Sequence, residues 1–213
     1  TQEDALFDVR RAADGSYWAA GYTSAWSSCQ DAYVVHFSAA GVKIAEKALG
    51  PCVNNTSGNP NRSMAWKAMP MADGSLIVVG TVYTGTTNNL DAFIAKWTFF
   101  DTAPTEVWRK TFGGTGDDTF VDVATTPEGG YVLVGTTWSG RSTDAGAVGD
   151  LYVVKVDSTG GTLWSKSYGG VGDDLGASIV RAADGSYLVA GSTSAASGSP
   201  HDVWLLNVPV ACP

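Results

Sequence analysis

The sequence predicts an all-β protein: a β-propeller of four four-stranded repeats, each about 56 residues long, with the last repeat lacking its outer strand. Three observations carry this. A turn of Asp-Gly or Glu-Gly type recurs at Asp14-Gly15, Asp73-Gly74, Glu128-Gly129 and Asp184-Gly185. The strand after each turn is apolar at successive positions, as in Leu76-Ile77-Val78-Val79, which marks a strand covered on both faces. The composition, with 26 glycines, 8 tryptophans and 16% charged residues among 213, suits strands joined by many turns.

Each repeat reads as strands a to d. Strand a precedes the turn, over Ala5 to Arg11, Met64 to Met69, Thr119 to Thr125 and Leu175 to Arg181. Strand b follows it, over Tyr17 to Gly21, Leu76 to Gly80, Tyr131 to Gly135 and Tyr187 to Gly191. The Asp-Gly pair between them predicts a hairpin with a two-residue loop. A polar loop leads to strand c, which starts at Asp31, Asp91, Asp150 and Asp202 and carries Tyr33, Phe93, Tyr152 or Trp204 two residues on. Strand d is clear at Val107 to Phe112 and Leu163 to Tyr168, and weaker at Ile44 to Leu49. The fourth repeat has no counterpart after strand c. Repeat borders fall near 1–50, 51–114, 115–170 and 171–213, within one propeller domain. Tandem sandwiches fit less well, because their strands alternate apolar and polar residues.

The net charge of −8 repels phosphate backbones, so nucleic acid is excluded as an expected partner. No run of about 18 apolar residues offers a membrane span. The chain opens at Thr1 as a mature or trimmed protein would, and its low lysine, its abundant Thr, Ser, Gly and Trp and one plausible disulfide fit an extracellular, cell-surface or periplasmic setting.

The motifs resemble the bacterial SBBP-type β-propeller repeat. Its Y-x-G-G-x-G-D-D, G-x-Y, G-x-T-x-S, D-A-F/Y-V-x-K and G-x-x-x-W elements are matched by Tyr168 to Asp174, Asp184 to Tyr187, Gly191 to Ser194, Asp91 to Lys96, and Gly160 with Trp164. The first repeat departs from the pattern, with Ala45 at the tryptophan position. The resemblance implies a secreted or surface-attached bacterial propeller with no single activity. Members of the family generally carry more than four blades. Four blades close as the smallest ring, or two chains complete a larger one. The strand-c, tight-turn and tryptophan arrangement is also similar to the quinoprotein repeat, without a dehydrogenase constellation beside it.

Four groups of residues are candidates for function. Asp117-Asp118 and Asp173-Asp174, in Gly-x-Gly-Asp-Asp connectors, offer paired carboxylates to calcium, or alternatively lock the turn by accepting backbone amides. Asp8, Lys67, Asp122 and Ser178 share one position in strand a, six residues before each turn, and form either a polar ligand site or a hydrogen-bonded channel. Trp26 and Trp138, the latter near Arg141, lie in loops after strand b, where an indole either stacks on a sugar or folds over the blade. Cys29 and Cys52 fall in loops that share a face of a four-strand meander, which suits a disulfide and leaves Cys212 over. Trp108, Trp164 and Trp204 sit at repeat positions and are expected in the core.

No metal-ligand spacing of His and Cys, phosphate loop or nucleophile elbow is present in the sequence. The residues require no cofactor, with calcium the one cation they suggest. The expected function is a non-catalytic structural or interaction module, such as a lectin-like adhesin whose partner is a glycan or protein at the cell surface. Two alternatives stand beside it. One is a polysaccharide hydrolase or lyase with an axial site. The other is self-association into a larger assembly through the open blade edge.

Overall fold

The computed structural model describes residues 3–24, 30–50, 62–84, 89–100, 103–140 and 148–209. Among them lie fifteen strands and no helix, so no helix is available to cross a membrane. The first sheet is β1 (Asp4–Arg11), β2 (Tyr17–Thr23), β3 (Asp31–Phe37) and β4 (Lys43–Ala48). The second is β5 (Met64–Pro70), β6 (Ser75–Tyr83), β7 (Leu90–Phe100) and β8 (Ala103–Phe112). The third is β9 (Asp118–Thr125), β10 (Tyr131–Thr137), β11 (Asp150–Val156) and β12 (Thr162–Tyr168). The fourth is β13 (Asp174–Arg181), β14 (Tyr187–Ser194) and β15 (His201–Val208). Every sheet is an antiparallel meander of consecutive strands. These sheets are the blades of a β-propeller, three with four strands and the last with three. The chain forms two compact units, Thr1–Phe112 and Gly113–Pro213, each holding two blades.

In the first unit, Trp18, Ala20, Ala32 and Val34 of the first blade pack with Ala68, Val78, Phe93, Ala95 and Trp97 of the second. In the second unit, Val132, Val134, Leu151 and Val153 of the third blade pack with Ile179, Tyr187, Val189 and Val208 of the fourth. Strands β6 and β10 are buried at every residue, as their unbroken apolar runs require. Strand β14 departs from that expectation and alternates between buried and half-buried positions over its first four residues. The pair β7–β8 is longer than the other c–d pairs, because Trp97 and Thr98 continue the ladder to Glu106 and Thr105.

The a–b hairpins differ from the two-residue loop that Asp-Gly suggests. In the first, the Ala12 amide donates to the Ser16 carbonyl and the Gly15 amide to the Ala12 carbonyl, which leaves three residues in the loop. Gly15 has φ 88°, the left-handed conformation that closes such a turn with a bulge. The bonds repeat from Met71, Thr126 and Ala182. The third hairpin makes the same loop with Glu128 and Gly130, and in the other three the aspartate is engaged as well. Asp14, Asp73 and Asp184 each accept from both the amide and the hydroxyl of the serine two residues on.

These bonds hold the Asp73 carboxyl down at about 2, the Ser75 hydroxyl contributing most and Lys96 adding to it. Asp14 and Asp184 are lowered by the equivalent serines. A depressed carboxylate stabilises the fold above its ordinary value of 3.8, and that contribution fades as pH falls towards 2. Ser75→Ala is therefore expected to raise the Asp73 pKa towards 3.8, read by carboxyl-carbon NMR titration. An unchanged midpoint would show that the hydroxyl is not the cause.

Every strand a contains a bulge. The register shifts between Leu6 and Asp8, between Ala65 and Lys67, and between Gly176 and Ser178, and in the third blade Val134 and Gly135 face Asp122 and Phe120. The bulge residues are Phe7, Trp66, Val121 and Ala177, and the first rings among them to meet are Phe7 and Trp66, stacked at 4.5 Å. Opposite each bulge sits a glycine of strand b. A Cβ at Gly21, Gly80, Gly135 or Gly191 would lie 1.8, 1.9, 1.8 or 2.2 Å from the carbonyl oxygen of Ala5, Met64, Thr119 or Leu175. Only glycine permits that approach.

Candidate functional site

The bulges position the polar set of strand a, since Asp8, Lys67, Asp122 and Ser178 each directly follow a bulged residue. An extra residue re-aims the side chains beyond it. In the second unit the result is a buried clasp. Asp122 Oδ2 accepts from Ser178 Oγ at 2.8 Å and from the Ile179 amide at 2.9 Å, while Oδ1 accepts from the Val123 amide at 2.7 Å. One carboxylate thus joins β9 of the third blade to β13 of the fourth. In the first unit Asp8 lies 3.1 Å from Arg10 Nε, and Lys67 is half-buried on β5.

The second aspartate of each connector begins a strand a and fastens it. Asp118 Oδ2 accepts from Ser139 Oγ at 2.6 Å and from the Gly114 amide at 3.2 Å. Asp174 Oδ2 accepts from the Gly170 amide at 2.8 Å. Asp4 takes the same place in the first blade, accepting from Thr23 Oγ1 at 2.6 Å. The first aspartates act differently. Asp173 Oδ1 accepts from the Gly149 amide at 3.0 Å, and the Asp117 carbonyl accepts from the Trp138 amide at 2.9 Å. Among the described residues, no three of His, Cys, Asp or Glu converge in a group able to hold a metal ion. Ser139 and Ser194 complete these connectors, Ser194 Oγ accepting from the Asp173 amide at 2.8 Å. They differ by one position along the repeat, Ser139 lying two residues past β10 and Ser194 ending β14, so the repeat pattern does not single them out.

Trp138 follows β10 and is half-buried. Its backbone is tied to Asp117, and its indole lies against Gly149. A Cβ at Gly149 would come within 2.8 Å of Trp138 Cε2 and 3.0 Å of Cζ2. The ring is therefore braced on one side by backbone that no side chain separates from it. Trp26, Arg141, Cys29, Cys52 and Cys212 lie outside the described residues. Trp164 and Trp204 are half-buried and pack against the core of the second unit.

Two further features belong to the first blade. His36 stacks on Trp18 at 4.1 Å between ring centres and lies 2.9 Å from Ser16 Oγ, and burial lowers its pKa. A cleft of about 510 Å³ opens on the sheet, with Leu6, Val35 and Phe37 as its apolar lining and Tyr33, Lys43 and Glu46 among its polar groups. Tyr33 donates its hydroxyl to Glu46, and Lys43 Nζ lies 3.0 Å from the same carboxylate. Burial, followed by the hydrogen bond to Glu46, raises the phenol well above its ordinary range, and the phenol and Lys43 together lower Glu46.

No protein-family model and no curated protein sequence matches the chain. Solved bacterial structures do share its fold. A protein of unknown function from Bacteroides caccae is 12% identical, aligns over 89% of this chain and 54% of its own length, and has a TM-score of 0.54. An endo-arabinase from Bacteroides thetaiotaomicron is 12% identical over 97% of this chain and 74% of its own, with a TM-score of 0.50. The chain spans about half the length of the first. At such identities the likeness is one of fold. The protein is a β-propeller with bacterial structural neighbours.

Proposed function

We propose that the protein is a non-catalytic binding module of the cell exterior that docks glycans through the face bearing Trp138. The observation behind this reading is the braced indole. A ring fixed on one side by Gly149 and anchored through its own amide loses little freedom when a sugar stacks on the other side. The SBBP-type motifs support the setting at the cell surface. The carboxylates support binding over catalysis, since Asp118, Asp122 and Asp174 already accept from amides and hydroxyls of the fold. A hydrolase or lyase needs one such group to meet substrate.

A glycan-array screen with and without chelator tests the reading. Wild type is expected to bind a restricted set of glycans, and Trp138→Ala to weaken that binding at least about tenfold, or roughly 1.4 kcal/mol. Chelator is expected to change nothing, because the connector aspartates hold protein donors. Equal binding by the variant, or no binding at all, would sink the proposal.

A further inference from the structure

Aspartyl-glycine is a chemically labile link in water. The glycine amide nitrogen, with no Cβ to hinder it, attacks the aspartyl Cγ. A C–N bond forms, a C–O bond breaks and one water leaves, giving a succinimide. Water then reopens the ring at either carbonyl. Opening at the main-chain carbonyl reroutes the backbone through the side chain, as isoaspartate, and adds one methylene to it. The protein places this link in three of its a–b turns, at Asp14-Gly15, Asp73-Gly74 and Asp184-Gly185. All three aspartates are exposed, so the water that opens the ring is at hand.

Ring closure needs a protonated carboxyl, because oxide is a poor leaving group, and a glycine amide free to lose its proton. At each turn the fold engages both. Asp184 Oδ1 accepts from the Ser186 amide at 2.9 Å and its hydroxyl at 2.7 Å. Asp14 Oδ1 accepts from Ser16 at 2.9 and 2.6 Å, and Asp73 Oδ1 from Ser75 at 3.0 and 2.5 Å. Bonds of this kind favour the ionised carboxylate. The glycine amides are engaged as well, Gly15 donating to the Ala12 carbonyl at 3.1 Å, Gly74 to Met71 at 3.0 Å and Gly185 to Ala182 at 3.0 Å.

The third blade supplies the contrast. Where Gly130 stands in place of the serine, Glu128 stands in place of the aspartate. A glutamate would have to close a six-membered ring, which is much slower. The hairpin itself does not demand an aspartate, since Thr126 and Gly129 make the same main-chain bonds beside Glu128. Aspartate thus precedes the turn glycine only where a serine two residues on engages it.

We propose that Ser16, Ser75 and Ser186 shield the aspartyl-glycine turns from succinimide formation and so preserve the hairpins at the blade ends. An isoaspartate at position 184 would lengthen a loop whose two main-chain bonds set Arg181 against Tyr187, the first pair of the β13–β14 ladder. Asp184 is the turn at which the shield is simplest to remove. Its lowering comes from Ser186 and the backbone, whereas Lys96 also acts on Asp73 and His36 on Asp14.

Prolonged incubation at mildly acidic pH, followed by mass spectrometry that counts isoaspartate at each turn, tests this. Folded wild type is expected to isomerise at all three turns at least about tenfold more slowly than the chain unfolded in guanidinium. Ser186→Ala is expected to raise the rate at Asp184 at least about fivefold, through a larger protonated fraction and a freed carboxyl. Asp14 and Asp73 keep their serines in that variant and should keep the wild-type rate, which separates a lost shield from a general loosening. Ser186→Thr retains both donors and should stay as slow as wild type. Equal rates in folded and unfolded wild type, an unchanged rate at Asp184 in Ser186→Ala, a rise at all three turns alike, or a Ser186→Thr as fast as Ser186→Ala would each overturn the proposal.

Discussion

Gly135→Ala is expected to destabilise the second unit by about 4 kcal/mol, at the upper end of what one methyl group does. The added Cβ would stand 1.8 Å from the Thr119 carbonyl oxygen and 2.7 Å from its carbon. Both contacts are backbone. Strand β10 is held on both sides by ladders to β9 and β11, so neither partner can withdraw without opening the bulge at Phe120 and Asp122. A thermal melt should fall by about 10 °C for a chain of this size. Two controls separate crowding from loss of glycine as such. Gly74 has φ 78° and open space around it, so Gly74→Ala carries only the left-handed backbone penalty of about 1 kcal/mol. Gly170 has neither a positive φ nor a neighbour within 4 Å, and Gly170→Ala should leave the melt unchanged. Equal melts for Gly135→Ala and Gly170→Ala would refute the assigned role of the bulge.

Asp122→Ala is expected to cost about 3 kcal/mol in urea unfolding. The substitution strips the acceptor from the amides of Val123 and Ile179 and from the Ser178 hydroxyl at a site where Asp122 is 5% exposed. Donors left unserved in such a place carry their full desolvation cost. Asp122→Asn keeps one acceptor oxygen for Ser178 and Ile179 but turns an NH2 towards the Val123 amide, so it should lose less than alanine, about 2 kcal/mol. The order Ala worse than Asn is the signature of a clasp between blades. If both variants kept wild-type stability, the carboxylate would not be holding β13, and its burial would call for a different explanation.

Much of the fold was legible because a repeat states its own register. The Asp-Gly anchors placed the starts of strands a and b to within about a residue but ended strand b two or three residues early, as with β2, expected over Tyr17 to Gly21 and observed over Tyr17–Thr23. Unbroken apolar runs marked β6 and β10 as covered on both faces. Loop length was not legible, because Asp-Gly suits both a two-residue loop and a three-residue loop closed by a left-handed glycine. The bulges were hidden for a related reason. A single inserted residue shifts the alternation of strand a by one, and that cannot be told from a polar residue on an apolar face. The glycine across the ladder, recurring at Gly21, Gly80, Gly135 and Gly191, was the available clue. For the site, the shared position of Asp122 and Ser178 was visible, but the hydrogen bond between them depends on how neighbouring blades meet. The serines at the connectors were obscured by loops rich in hydroxyl residues, in which Ser139 bonds to the Asp118 carboxylate and Ser194 to the Asp173 amide.

Every sheet is made of strands consecutive in the chain, and none borrows a strand from another repeat. This bears on how such a gene can change. Duplicating or deleting one whole repeat cuts no hydrogen-bonded ladder. It alters the packing between blades and the few hydrogen bonds that cross from one blade to the next, such as the Asp122 clasp on β13. The fastenings that each new copy needs, the turn aspartate with its serine and the connector aspartate, travel within the duplicated segment. Blade number is thus the cheapest structural variable this architecture offers to selection, and changes in length by multiples of about 56 residues should be tolerated where smaller insertions inside a strand are not.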